Sequence, residues 1–321
     1  MKQIAQEITQ NNLKNTLMNP QIDFVFKNIF GSEKHPKVLI SLLNGIFGYT
    51  DESPKRIVKV KLENPNITKE ILEDKYSILD IKATVNDGEI INIEMQIKNE
   101  YNMKERSLYH LSKIFSGQLQ SGRNYRSLKR CVVICILNYN LFTTDSNRVH
   151  RSFLFQDTET HEELSKLMEL HYIELPKLKA QIDKISFDNL LTDWLLFLTT
   201  PNSEVITMLK KKIPEIKEAV SILEILSKDK EAREIYEMRQ RAMLNENTNL
   251  EGAKMEGLEQ GIQQGIQQGI QQGVQQGLQQ GLEQGAHGKA INIAIKMKKK
   301  GSSVEDIIEI TGLTKSEINK L

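Results

Sequence analysis

Residues 77–99 read SILDIKATVNDGEIINIEMQIKN, and this stretch decides the fold. Apolar and polar residues alternate in both of its halves, which is typical of β-strands that bury one face. Asn86-Asp87-Gly88, between the halves, is a turn signal. We therefore predict a β-hairpin with one apolar and one polar face.

The alternation also predicts how the two strands pair, because directly opposed residues project from the same face of a sheet. A two-residue loop would set Asp80 against Met95 and mix the two faces. A three-residue loop with Gly88 in a left-handed conformation keeps the faces apart, pairing Ile81 with Ile93 and Ala83 with Ile91. The same register sets Asp80 opposite Glu94, with Gln96 one diagonal step away.

Two carboxylates that face each other on neighbouring strands repel by up to about 1 kcal/mol. A cation between them removes this cost, and oxygen ligands suit Mg²⁺, which takes one or two carboxylates plus water and substrate phosphate. Asp80 and Glu94 are therefore candidate ligands of a divalent cation. The alternative is an ordinary charged strand face in contact with solvent.

The composition is that of an ordinary soluble chain. Its 321 residues include 43 Lys and Arg against 42 Asp and Glu, so a phosphate-binding surface requires local clustering of charge. The first residues lack the apolar core of a signal peptide, and no apolar run is long enough to span a membrane. Cys131 and Cys135 lie in the apolar run CVVICIL and are interpreted as buried thiols in a strand. We expect a cytoplasmic location and no membrane partner.

The hydrophobic pattern predicts an α/β chain of the α+β type, with a mixed sheet flanked by helices. Predicted helices cover 22–30, 36–47, 102–121 and much of 187–244; predicted strands cover 56–62, 77–85, 89–98, 130–137, 151–155 and 171–175. We divide the chain into a polar arm (1–19), a core (20–185), a helical extension (186–250), a repeat (251–287) and a small helical tail (288–321).

The repeat consists of the tetrads GLEQ-GIQQ-GIQQ-GIQQ-GVQQ-GLQQ-GLEQ, from Gly257 onward. Each glycine costs about 0.8–1 kcal/mol in a helix interior, so an isolated helix would be weak. The tract is either a flexible linker or a glycine-faced helix that packs against a copy of itself. The second alternative predicts a homo-oligomer.

The tail SVEDIIEITGLTKSEINKL (303–321) predicts two short helices broken at Gly312. Ser302 or Ser303 and Thr314 are the expected caps. The pattern is that of a helix-turn-helix DNA reader or of an ordinary helical hairpin.

Four segments together resemble the bacterial recombination-promoting nucleases, a PD-(D/E)XK family of nucleases and transposase-like proteins. They are DFVFKNIFG (23–31), the hairpin with Glu94-Met95-Gln96, RSLYHLSKIFSGQLQSGRNY (106–125) and CVVICIL (131–137). The resemblance covers most of residues 20–321 and is strongest in 20–140. It implies a restriction-endonuclease-like core followed by a helical C-terminal region.

The resemblance also implies roles for the hairpin residues. Asp80 and Glu94 would bind Mg²⁺, or another divalent cation such as Mn²⁺ or Ca²⁺, together with the backbone carbonyl of Met95. Gln96, the third candidate catalytic residue beside Asp80 and Glu94, stands where the superfamily has a lysine. An amide can orient water or a phosphate oxygen, but it cannot supply positive charge. Lys82 and Lys98 share the polar face and are candidates to supply that charge and to bind DNA phosphates, or are simply solvated.

Further roles follow for two helices. Asp23 matches the acidic residue of the family's first helical motif and is a candidate ligand of a second, water-bound ion; the alternative is a helix N-cap. In the helix predicted for 102–121 we expect the buried stripe to be Leu108, Leu111, Phe115 and Leu119. The candidates for contacts with DNA phosphates are Arg106, Tyr109 and Lys113, which are otherwise a solvated face.

Three functions remain open at this point. The leading one is a metal-dependent DNA endonuclease with little sequence specificity, linked to DNA recombination or mobile elements. The second is a DNA-binding protein that keeps the nuclease fold without activity, and the third is an assembly protein built on the repeat. The pair Asp80 and Glu94 favours the first.

Overall fold

The computed structural model describes residues 17–63, 80–99, 102–119, 124–145, 147–181 and 189–321. Two N-terminal helices lie where the sequence predicts them: α1 spans Asp23–Phe30 and α2 spans Pro36–Phe47. α1 ends where the Gly31 N–H donates to the Lys27 carbonyl. A methyl group on Gly31 would lie 2.7 Å from that carbonyl oxygen, so this position requires glycine.

The predicted hairpin and its register are confirmed. β2 spans Ile81–Val85 and β3 spans Glu89–Gln96, and the pairs Ile81 with Ile93 and Ala83 with Ile91 form as expected. Residues 86–88 are the three-residue loop, and Gly88 has a φ of 102°. The predicted strand residues 77–79 lie outside the described residues.

The hairpin belongs to a mixed sheet. Its other described strands are β1 (Val60–Leu62), β4 (Cys131–Leu137), β5 (His150–Gln156) and β6 (Glu163–Glu174). The order is β1-β2-β3-β4-β6-β5, with β3–β4 and β4–β6 parallel and the other pairs antiparallel. A parallel pair needs a crossover, and α3 (Met103–Ser116) lies in the connection between β3 and β4.

Each face of the sheet carries its own apolar layer. On one face, Ile91, Ile93 and Met95 join a large core with α1, α2 and the helices that follow the sheet. On the other, Met103 and Leu111 of α3 pack with Cys131 and Cys135 of β4. Both cysteines are buried free thiols, as predicted. Because α3 covers this second face, the polar side of β3 is shielded from solvent.

Four sequence-based bounds or positions need correction. β1 begins at Val60 and not near 56, and α3 ends at Ser116, before Gly117. β6 begins at Glu163 and not at 171. The sequence did not predict its first half, because residues there mix exposed charges with apolar side chains and give a weak alternation. The predicted stripe on α3 is wrong at Leu108, which is 48% exposed. The buried side instead includes Ser107, whose hydroxyl hydrogen-bonds Tyr172.

Helices dominate the chain after the sheet. α4 (Leu175–Lys179), α5 (Leu190–Thr199), α6 (Glu204–Lys212) and α7 (Pro214–Lys228) precede the long α8 (Lys230–Lys299). The glycine tetrads lie inside α8, so the helical alternative is the observed one. The apolar residues of the tetrads are between 55% and 67% exposed, and a Cβ on each tetrad glycine would meet open space.

The tail forms the two predicted helices, α9 (Val304–Thr311) and α10 (Lys315–Lys320). Ser303 caps the first and Thr314 the second, and Gly312 between them has a φ of 66°. Ala294, Ile307, Leu313 and Ile318 form their small core.

The chain forms two compact units, residues 1–244 and 245–321. The finer division into five segments stays a prediction. Among the described helices, none has the length and apolar character needed to cross a bilayer.

Candidate active site

The polar side of β3 places three side chains beneath α3. Asn92, Glu94 and Gln96 are 2%, 1% and 6% exposed, so the alternative of a solvated strand face is wrong for this strand. Asp80 immediately precedes β2 and is half-buried. One step beyond the pair Ile81–Ile93, the register would set Asp80 opposite Glu94.

The two carboxylate oxygens of Glu94 have different surroundings. Oε1 accepts hydrogen bonds from His110 Nδ1 of α3 and from Asn92 Nδ2, the latter at 3.2 Å. Oε2 lies 3.6 Å from Arg106 Nε and has no hydrogen-bond partner among the described residues. A buried oxygen that lacks a hydrogen bond costs about 1–3 kcal/mol. Glu94 therefore keeps one oxygen, Oε2, that is open to a further ligand, since it forms an ion pair with Arg106 but accepts no hydrogen bond among the described residues.

Gln96 adds a second open group to this face. Its amide nitrogen Nε2 is buried and finds no acceptor within the described parts of the chain. An amide nitrogen is a donor only, so it is suited to bind a water or a phosphate oxygen.

Lys27 of α1 is a buried cation within electrostatic reach of Asp80. Burial lowers the pKa of Lys27, while the carboxylates of Asp80 and Asp23 oppose this shift. The lysine is only 4% exposed. The first helix therefore brings a positive charge to the hairpin from a part of the chain more than fifty residues earlier.

Asp23 does not cap α1. The N-cap is Ile22, and Asp23 is the first helical residue, with Oδ1 accepting from the Phe24 N–H at 2.8 Å. Its Oδ2 pairs with Arg239 of α8 at 2.5 Å, and Arg239 is 4% exposed. The N-cap alternative is wrong, and Asp23 instead joins α1 to the beginning of α8.

The predicted phosphate-binding residues fall into two groups. Arg106 lies within the site, while Tyr109 and Lys113 are exposed on the same helix. Lys82 of β2 and Lys98, just beyond β3, are half-buried.

Sequence reasoning missed four residues at this site. His110 follows Arg106 by one helical turn, and Asn92 precedes Glu94 by two strand positions, so spacing alone was sufficient to find both. The proximity of Lys27 to Asp80 and the Asp23–Arg239 pair depend on tertiary packing, for which the local sequence carries no signal.

The chemistry of the Asp80 and Glu94 carboxylates is of the kind that a divalent cation binds. Among the described residues, no group of three or more His, Cys, Asp and Glu side chains has a metal-binding arrangement. Mg²⁺ does not need such a group, because it commonly keeps several waters and takes one or two carboxylates. The open Oε2 of Glu94 is an oxygen of the kind this ion binds.

Comparison with known proteins identifies the family. The family model described as PD-(D/E)XK nuclease family transposase matches residues 20–253. No curated protein and no solved structure matches the chain. The matched region is most of the chain and includes the whole sheet, so the fold is that of a PD-(D/E)XK nuclease. The chain belongs to the PD-(D/E)XK nuclease family transposases, as the resemblance of its motifs implies.

Proposed function

We propose that this family member is a metal-dependent DNA endonuclease that hydrolyses phosphodiester bonds with little sequence specificity. The observation that carries the proposal is the buried Glu94 carboxylate, whose Oε2 accepts no hydrogen bond among the described residues, on the residue next to the last observed pair, Ile81–Ile93. Extending that register by one step would set Asp80 opposite Glu94. The family supports a nuclease linked to mobile elements, and we propose DNA recombination as its setting. We also propose a cytoplasmic location, which the two reduced thiols favour.

Asp80 and Glu94 are the proposed ligands of Mg²⁺, for which Mn²⁺ or Ca²⁺ are substitutes, with the Met95 carbonyl as a third oxygen. When bound, such an ion polarises a phosphoryl oxygen and stabilises the charge that develops on it. Asp23 is the weaker candidate for a second ion, because Arg239 already pairs with its Oδ2.

The other residues of the site position the substrate. The Gln96 amide donates to a water or to a phosphate oxygen, and Arg106 binds a phosphate through its guanidinium group. Lys27 supplies the positive charge that Gln96 lacks, since it is a buried cation within electrostatic reach of Asp80. Tyr109 and Lys113 extend the phosphate contacts along α3. Phosphate contacts carry no sequence information directly, which agrees with low specificity.

Plasmid nicking tests the proposal. The full chain should nick supercoiled DNA with Mg²⁺ and fail to do so with EDTA. Asp80→Asn and Glu94→Gln should each lower the rate by a hundredfold or more, about the loss found when one charge-stabilising group is removed.

Glu218→Gln is the matched control, because His35 Nδ1 bonds the Glu218 carboxylate as His110 Nδ1 bonds Glu94. It should leave nicking unchanged. Nicking that survives in Asp80→Asn would refute the assignment. If the wild-type protein binds DNA but does not nick it, the result would favour the alternative of an inactive DNA-binding protein.

A second proposal concerns the repeat, where we infer self-association into a homo-oligomer. Seven apolar side chains, from Leu258 to Leu282, are more than half exposed along α8, and they alternate with glycines that leave room for a close neighbour. Light scattering should show a larger particle for the full chain than for a chain cut before Gly257. If the full chain and the shortened chain have the same number of subunits, the proposal of self-association is wrong.

A further inference from the structure

The two hydrogen bonds to Glu94 Oε1 have a consequence for metal choice. Asn92 reaches this oxygen along β3, and His110 reaches it from α3. Because a carboxylate only accepts hydrogen bonds, both nitrogens are donors. With Oε1 occupied twice, Glu94 has Oε2 as its remaining open oxygen.

We propose that Asn92 and His110 are positioning residues that limit Glu94 to one oxygen toward a divalent cation and thereby favour Mg²⁺ over Ca²⁺. The inference rests on the proposed function, since it assumes that Glu94 is a ligand. Neither residue touches substrate in this scheme, and both act through Glu94.

The selectivity follows from the different demands of the two ions. Ca²⁺ takes six to eight oxygens in flexible geometry and often binds both oxygens of one carboxylate, whereas Mg²⁺ requires near-octahedral geometry and keeps several waters. A carboxylate that offers only one oxygen, because the protein holds the other, therefore suits Mg²⁺ better than Ca²⁺. Residues that orient a ligand in this way commonly account for a 10- to 100-fold difference in metal affinity.

A purely structural role is the rival interpretation, because the His110–Glu94 bond also ties α3 to the sheet. The two interpretations differ in what they predict. A structural tie affects stability and the affinity for both ions alike, whereas a positioning role changes the ratio of the two affinities.

Calorimetric titration of the full chain with Mg²⁺ alone and with Ca²⁺ alone measures this ratio without reference to activity. His110→Ala and Asn92→Ala should each weaken Mg²⁺ binding about tenfold or more and raise the preference for Ca²⁺. His110→Asn should restore much of the selectivity, because its amide nitrogen can donate from nearly the position of Nδ1. His35→Ala, which breaks the equivalent bond to Glu218 at 2.6 Å, should change neither affinity.

If a variant fails to fold, a measurement on the wild-type protein still tests the inference. The Nδ1–H nuclear magnetic resonance signal of His110 should move as Mg²⁺ is added and saturate with the calorimetric affinity, while that of His35 stays fixed. A His110 signal that does not move when Mg²⁺ is added would refute the inference. An unchanged ratio of Mg²⁺ affinity to Ca²⁺ affinity in the folded variants would refute it as well.

The experiments distinguish a failure of the proposed function from a failure of the positioning role. If Asp80→Ala abolishes Mg²⁺ binding while His110→Ala and Asn92→Ala bind both ions as the wild type does, only the positioning role is wrong. If the wild type binds neither ion, both proposals fall.

Discussion

Lys177 Nζ lies 2.6 Å from Glu174 Oε2, and both side chains are almost completely buried. Glu174 ends β6, and its Oε1 accepts from the backbone N–H groups of Leu141 and Phe142, while Lys177 also donates to the Phe142 carbonyl. The pair therefore holds the segment after β4 against the end of β6.

Removing Lys177 should be strongly destabilising, because the buried Glu174 carboxylate loses its nearest cation and keeps the more distant Arg151, whose Nε lies 3.8 Å from Oε2. We expect Lys177→Met to lower the free energy of unfolding by about 3–5 kcal/mol in urea denaturation. The double variant Lys177→Met with Glu174→Gln should recover part of that loss. A loss below about 1 kcal/mol for Lys177→Met, the range of an exposed pair, would contradict this account.

The protein should lose stability steadily as the pH falls below neutrality. Burial, with His171 and Arg148, lowers the pKa of His150 to about 4, against an opposing effect of Glu169. A lowered histidine pKa means that the unfolded state takes up protons first. The stability that His150 contributes is therefore full above about 6.5 and lost as the pH falls to 4, up to about 3 kcal/mol.

Glu169 extends this acid sensitivity to lower pH. Burial opposes its charge, but hydrogen bonds from His171 and Arg130 outweigh that effect and lower its pKa to about 2. Its contribution is present above 4.5 and lost as the pH falls to 2. Thermal denaturation from pH 7 to 2 measures both effects.

His150→Asn should flatten the stability profile between pH 6.5 and 4. The exposed His161→Asn is the control, since asparagine tolerates the positive φ of 59° at that position. An unchanged slope in His150→Asn would show that this group does not cause the acid sensitivity.

Gly31→Ala and Gly273→Ala should have opposite effects. An added Cβ at Gly31 meets the Lys27 carbonyl oxygen at 2.7 Å, and such crowding costs about 1–3 kcal/mol. A Cβ at Gly273 meets open space in the middle of α8, so alanine should stabilise the helix by about 0.8–1 kcal/mol. Circular dichroism at 222 nm during heating separates the two changes, and a stabilising Gly31→Ala would show that the end of α1 yields to the methyl group.

Lys27→Met should lower plasmid nicking about a hundredfold, while Lys82→Met and Lys98→Met should have smaller effects. The reason is position: Lys27 is a buried cation within electrostatic reach of Asp80, and the other two are only half-buried. Methionine keeps the length of the side chain, and the melting temperature checks that the variant is folded. A large loss in Lys82→Met with none in Lys27→Met would reverse the assignment.

The hairpin was predictable because a period of two excludes a two-residue loop, and the turn signal Asn86-Asp87-Gly88 then sets the register as a three-residue loop. The sequence alone therefore predicts the pairs Ile81–Ile93 and Ala83–Ile91. Helical periodicity was less reliable on α3, where Ser107 is buried and Leu108 is exposed, because the contact with Tyr172 selects a small polar residue. The pair Asp23–Arg239 spans 216 residues and has no local signal.

The tetrads of α8 have a geometric consequence for changes in repeat number. Four residues advance a helix by about 6 Å and turn it by about 40° beyond a full circle. Within the unit 245–321, inserting or deleting one tetrad would therefore shift α9 and α10 along the helix and around its axis by this fixed increment, relative to residues 245–256 of the same unit. The small core of α9 and α10 would keep all of its side chains.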